Sequence, residues 1–532
     1  MKNIHVLIVA LASGVFLAAS AATPPAVTPA ALPTAAVSPP DSPTVKTQAG
    51  DVQGVEENNI FSFKGIPYAS PPVGMLRWRE PQPAQPWQGV RKADRYGNAC
   101  IQVPGLSAAQ GLDPGPISED CLYLNVWTPK PDPSAKLPVM VWIHGGAYML
   151  GAGGVTLYEG VQLAKKGAVV VNLNYRLMQL GFFVHPALEK GNPGGPANFG
   201  LLDQIAALQW VQQNILQFGG DPGNVTIFGE SAGAKSVLAL FASPLARGLF
   251  HKGIVMSSYI IPDATRAKAL EAGIKAAEAA GLKGADATVA ELRAVPAERF
   301  GQLKGRDLST APVPISGDTV LPQPIQQIFA AGKEAPVPLI LGNTSNDSSV
   351  VADFGIDPVK VVANMRGAGL LSRILYPGVK DDRQLGRQAT RDLVFTMPVR
   401  WIADHHSKLA PSFRYYFDYT AVKERGKFPD GVPHGAEIVY VMDTGDIYGG
   451  TKTIFTDEDR DFARRVSDYF FEFARTNHPA SNGSPAWPNH TSMRDETMLF
   501  GTKIASQTNF MKARLNAFIR ILKIVGPVLN RK

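Results

Sequence analysis

The sequence predicts an α/β fold, a large and mostly parallel central sheet flanked by helices on both faces, and three observations carry that prediction. Short apolar runs recur without alternation at residues 138–143 (Pro-Val-Met-Val-Trp-Ile), 168–173 (Ala-Val-Val-Val-Asn-Leu), 225–228 and 337–341. Continuous runs of this length suit strands buried on both faces. Segments 201–218 and 264–280 lie between them and carry apolar residues at helical spacing; the second holds Glu271 four residues before Lys275, a helix-supporting pair. A Gly-x-Ser-x-Gly motif stands where a strand-like run gives way to a helix former, at Gly229-Glu230-Ser231-Ala232-Gly233. Strands alternating with helices define the layered class.

The chain opens with Lys2, an apolar stretch at residues 4–19 and the small-x-small pattern Ala19-Ser20-Ala21. This describes a cleavable secretory signal over residues 1–21; the apolar run is short for a membrane span and is interrupted by Ser13 and Gly14. Residues 22–44 hold seven prolines among Ala and Thr and read as an extended linker. The remainder, 45–532, forms one domain, and the expected product is exported, periplasmic or secreted. Of the 532 residues, 45% are hydrophobic and 18% charged, ordinary values for a globular chain. The net charge of +7 is spread without a run of five or more like charges, which argues against nucleic-acid binding. Two cysteines cannot build a zinc site, and an exported chain meets oxidising conditions. Cys100 and Cys121 are therefore expected to form a disulfide.

His144-Gly145-Gly146-Ala147 follows directly on the apolar run 138–143. Acyl transfer needs donors aimed at a tetrahedral oxyanion. Gly145 and Gly146 expose amides without side chains in the way, and Ala232 supplies a third. His144 reads as a support for this loop. At residues 225–233 a β-prone run ends at Gly229 and a helix former follows Gly233. That is a nucleophile elbow, with the Ser231 hydroxyl held above the sheet edge at a helix start.

In this class of site the chain order is serine, acid, histidine. Residues 339–349 end a strand at Gly342 and enter a polar loop holding Asp347, the expected acid; Asp318, in a Ser-Gly-Asp-Thr turn, and Asp353 are competitors. His434 lies in a turn-rich loop, Gly431-Val-Pro-His-Gly-Ala-Glu437, suited to presenting a base. His405 and His406 fall in a helical pattern and read as surface residues, and His478 as a helix exit.

Several further motifs give the chain a clear resemblance to the type B carboxylesterases, the cholinesterase-like branch of the α/β-hydrolases. They are Phe63-Lys-Gly-Ile-Pro-Tyr-Ala69, Arg77-Trp-Arg-Glu-Pro81, Glu119-Asp-Cys-Leu-Tyr-Leu-Asn-Val126, Asn174-Tyr-Arg176 and Asn198-Phe-Gly-Leu-Leu-Asp-Gln204. The resemblance spans nearly everything from Val45 to about Phe500. It implies an α/β-hydrolase fold and serine esterase activity through an acyl-enzyme, with Ser231 as nucleophile and His434 as base. It also implies the oxyanion amides of Gly145, Gly146 and Ala232, a Cys100–Cys121 pairing, and a buried polar support of Glu230, Ser257 and Glu437. Where the family often has Asp-Glu-Gly at the acid loop, this chain has Asn346-Asp347-Ser348. Residues 101–120, within the expected disulfide loop, contain no aromatic, which argues against choline esters. Met149, Phe182, Phe183 and Phe199 read equally as acyl-pocket lining or as core. The implied chemistry needs no cofactor or metal, and the implied partner is a small-molecule ester met by a monomer or small homo-oligomer. Amidase, lipase, toxin polycarboxylate esterase and a non-catalytic adhesion module stay open as alternatives.

Overall fold

The computed structural model describes residues 42–103, 112–259, 263–301, 312–354, 357–360 and 374–529. The signal segment and nearly all of the linker lie outside the described residues. The first described element is a short strand, Thr44–Lys46, paired with Asp51–Gln53.

Eleven strands build the central sheet: β1 (Val55–Glu57), β2 (Ile60–Pro67), β3 (Tyr123–Thr128), β4 (Leu137–Ile143), β5 (Val169–Leu173), β6 (Gly220–Glu230), β7 (Lys252–Met256), β8 (Leu339–Thr344), β9 (Ser412–Phe417), β10 (Glu496–Phe500) and β11 (Ile504–Thr508). Their spatial order is β11-β10-β9-β8-β7-β6-β4-β5-β3-β2-β1. The middle, from β5 across to β10, is parallel throughout. Antiparallel pairs stand at both margins. All four apolar runs therefore became central parallel strands, β6 extending further toward the N-terminus than its apolar run.

The continuous apolar pattern has a direct packing cause. Alternate side chains of one strand enter different cores. Val139, Val141 and Ile143 of β4 join Val169, Val171, Val225 and Ile227 on one face, beneath helices α1 (Phe199–Asn214) and α2 (Ala232–Ala242). Met140 and Trp142 join Val170, Phe228 and Ile254 on the other face, beneath a late helix, Asp457–Thr476. Every one of these residues is fully buried. The Ala-rich segment forms helix α3 (Arg266–Ala279), capped by the Thr265 side chain. Cys100 and Cys121 are joined in a disulfide, which closes a loop worth about 3 kcal/mol by restricting the unfolded chain.

Two expectations need correction. Helix α4 (Met397–His406) forms as expected, but its last residue, His406, is fully buried. Its Nδ1 lies 3.0 Å from Glu334 Oε1 and its Nε2 2.8 Å from the Val337 carbonyl. His405 is half-buried, with Nδ1 2.8 Å from the Trp401 carbonyl. Neither is a surface residue, because this helix packs its C-terminal turn against the sheet rather than ending in solvent. Asp318, named as a competitor for the acid, is taken up elsewhere: it accepts from the amides of Val320 and Leu321 in its own turn and from the Ala197 amide and Asn198 Nδ2, tying two distant segments together.

Candidate active site

Ser231 sits at the junction of β6 and α2 with φ 56° and ψ −119°. A left-handed φ costs a non-glycine residue on the order of 1–3 kcal/mol and persists only where its surroundings enforce it. Here they do. The Ser231 amide donates to the Met256 carbonyl at 2.9 Å and its carbonyl accepts from the Lys235 amide at 2.9 Å. The flanking glycines permit the bend. A Cβ on Gly229 would meet the Ile143 carbonyl oxygen at 2.6 Å, and one on Gly233 would meet the same atom at 2.0 Å. The half-buried serine thus stands on a turn pressed directly onto the end of β4.

The glycine loop arises from that same strand end. A Cβ on Gly145 would lie 2.7 Å from the Glu230 carbonyl oxygen and 3.2 Å from Ser231 Cβ, so this backbone runs in contact with the serine. Gly146 has φ +99°, with Ala147 and Tyr148 also left-handed at 54° and 58°. His144 holds the loop: its Nδ1 lies 2.9 Å from the Gly145 carbonyl and its ring stacks on Tyr175 at 4.5 Å. Burial pushes its pKa down to about 4. It is a neutral strut turned toward its own loop.

The acid and base loops are stitched to each other. The Asn346 amide donates to the Val432 carbonyl at 2.9 Å, and the Val432 amide donates to Ser345 Oγ at 2.8 Å. Asp347 is fully buried, and its Oδ2 accepts from the Thr344 amide at 2.8 Å. Its Oδ1 lies 2.8 Å from His434 Nδ1. A carboxylate can only accept, so Nδ1 carries the proton. The His434 amide donates to Ser349 Oγ at 2.9 Å, and Phe395 packs against the imidazole with ring centres 5.4 Å apart.

Glu230, the residue before the serine, brings Oε1 to 3.0 Å from His434 Nε2, although neither atom makes an aligned hydrogen bond. Burial alone would lower the imidazole's pKa, but the Glu230 and Asp347 carboxylates outweigh it and raise it well above 6.5. Glu437 is fully buried and accepts from Ser257 Oγ at 2.6 Å. Burial, then repulsion from Asp347 and Glu230, pushes its carboxyl up to about 8.

Ser231, Ala232, Glu230, Gly145, Gly146, Asp347, His434, Ser257 and Glu437 therefore fall in one region around the ends of β4, β6, β7 and β8. Ser349 and Phe395 were missed. Ser349 belonged to the polar stretch already singled out, whereas nothing local marks Phe395, which lies in a π-helical turn (Asp392–Thr396) continuous with the helices on either side. Phe182, Phe183 and Phe199 belong to the core: Phe182 packs on Tyr148, Phe183 stacks on Trp78, and Phe199 lies under Arg176. Met149 is half-buried beside the glycine loop. Among the described residues no cluster of His, Cys, Asp or Glu is arranged to hold a metal ion, and no helix is long and apolar enough to cross a membrane.

The sequence profile of the carboxylesterase family matches residues 41–371 and 379–518. This chain is a carboxylesterase-family member. Its relatives include the para-nitrobenzyl esterase of Bacillus subtilis (strain 168), 36% identical over 489 residues, covering 87% of this chain and 96% of that protein. The fumonisin B1 esterase of Sphingopyxis macrogoltabida is 36% identical over 485 residues, covering 86% of each chain. Among solved structures, a PNB esterase superposes with a TM-score of 0.74 at 33% identity, covering 89% of this chain and 99% of the other. The carboxylesterase thus has the α/β-hydrolase fold and is a carboxylic ester hydrolase.

Proposed function

We propose that this carboxylesterase cleaves small-molecule esters with Ser231 as nucleophile, His434 as general base and Asp347 as the carboxylate that orients the imidazole. The observation that carries the reading is the 2.8 Å contact between His434 Nδ1 and Asp347 Oδ1, beside a left-handed serine at the head of a helix. Ser231 Oγ attacks the ester carbonyl carbon while Nε2 takes its proton. The oxyanion rests on the Gly145, Gly146 and Ala232 amides. Collapse breaks the bond to the alcohol, which leaves with the proton from Nε2. Water, deprotonated by the same nitrogen, then attacks the acyl-enzyme and releases the acid and Ser231. Glu230, Ser257 and Glu437 serve as the polar support that sets the charge around the imidazole. The basic, apolar and small-residue pattern of residues 1–21 supports export ahead of one catalytic domain at 45–532.

Replacing Ser231 by Ala should lower kcat on p-nitrophenyl acetate by roughly 10⁴- to 10⁶-fold with the far-UV spectrum unchanged. Turnover at the wild-type rate would remove the proposal. Matched p-nitrophenyl ester and p-nitroanilide substrates separate esterase from amidase use of the same site.

A further inference from the structure

A cavity of about 190 Å³ lies against the helix that follows the proposed nucleophile, lined largely by apolar side chains that include Phe329, Met397 and Trp401. A cavity of about 150 Å³ with apolar walls holds a benzene ring, so this one accommodates a chain of similar bulk. It lies along helix α2: Lys235, one turn after Ser231, lines it. Four residues of helix rise amount to about 6 Å, close to the length of an extended six-carbon chain. Tyr259 also lines it and packs in one cluster with Phe395, whose ring contacts the His434 imidazole.

The far wall is not apolar. Lys235 Nζ lies 3.0 Å from Asp263 Oδ1, and both side chains are almost entirely buried. Asp263 Oδ2 accepts from the Ile325 amide at 2.7 Å, but Oδ1 has no aligned hydrogen-bond donor. Ser258 lines the same cavity, is 3% exposed, and its Oγ has no hydrogen-bond partner. Leaving the Ser258 hydroxyl buried and unpaired is costly, and a guest that pairs it recovers that cost. The Lys235 charge is already balanced by Asp263, so an anionic guest would bring a second buried negative charge beside Asp263.

We infer that this cavity is a specificity pocket for one arm of the ester, an apolar chain of about six carbons ending in a neutral hydrogen-bond donor such as a hydroxyl. The donor pairs with Ser258 Oγ, with the Lys235-paired Asp263 carboxylate as a second acceptor lining the same cavity. The inference rests on the proposed Ser231 esterase chemistry and names its substrate class.

The test compares kcat/KM for p-nitrophenyl hexanoate, 6-hydroxyhexanoate and the 6-carboxylate analogue, with a parallel series placing the same chains on the alcohol side of an acetate ester. In one series the hydroxylated chain should exceed the plain one by about tenfold or more, and the carboxylate should be the poorest. In Ser258→Ala and Asp263→Asn the ratio of hydroxylated to plain rates should fall toward one; Ser258→Ala covers the case in which Asp263→Asn fails to fold. Equal rates for plain and hydroxylated chains in both series, or a preference for the carboxylate, would overturn the inference. Because the plain ester still reports Ser231-dependent turnover, failure here is distinct from failure of the catalytic reading.

Discussion

The two halves of the proposed site are built in opposite ways. The nucleophile turn is local: strand, serine and helix are contiguous, and two glycines let the turn lie against one carbonyl of β4. The acid and base come from segments 87 residues apart. They are joined by a bridge between Asn346 and Pro433 and by a serine hydroxyl holding the partner loop's backbone. Strain fixes the first half, and hydrogen bonds between loops fix the second. Damage to each should therefore show differently, the first in backbone geometry and the second in the orientation of one ring.

The sharpest break is at the orienting carboxylate. Asp347→Asn keeps the shape but offers Nδ1 an amide in place of a carboxylate, favouring the wrong tautomer, and kcat should fall by about 10⁴-fold in a steady-state ester assay. Gly233→Ala should cost about 100-fold in kcat, since a Cβ 2.0 Å from the Ile143 oxygen forces the serine to shift. It should also lower the denaturant midpoint, which Asp347→Asn need not do. Ser345→Ala removes the acceptor for the Val432 amide, and a loss of roughly tenfold in kcat/KM is expected from a slackened base loop. Activity retained in all three would erase the contrast between the halves.

The smallest effect is a shift in pH dependence. His434 must be neutral to accept the serine proton, and Glu230 and Asp347 hold its pKa well above 6.5. The acidic limb of kcat/KM should therefore lie above pH 6.5, and Glu230→Gln should move it downward. Stability runs the other way. Both His434 and Glu437 have folded-state pKa values raised above their ordinary ones. The contribution of Glu437 is complete below about 4.5 and disappears as pH rises through about 8. That of His434 is complete below about 6.5 and is lost through its raised value. Activity should rise across the neutral range while stability declines, checked by parallel rate and denaturation series.

The same division explains what could be read from the chain. The elbow, the glycine loop and the four central strands were legible because each is dictated by neighbours in sequence: a buried run, a glycine where a Cβ has no room, a helix start. His434 and Asp347 were recoverable from chain order and loop character, and Glu230, Ser257 and Glu437 from family likeness alone. Phe395 and the buried state of His406 were not legible. Both depend on which distant segment packs against a helix, and an apolar or aromatic side chain at helical spacing carries the same local pattern whether it faces a core or the His434 ring.

The central claim is that one hydroxyl, on Ser231, is made nucleophilic by the His434–Asp347 pair. The most direct measurement is stoichiometric labelling with a fluorescent fluorophosphonate, followed by peptide mass mapping of the modified site. One label per chain on the peptide carrying Ser231, lost in His434→Ala, is the predicted result. A label on a different residue, or undiminished labelling of Ser231 without the imidazole, would contradict it.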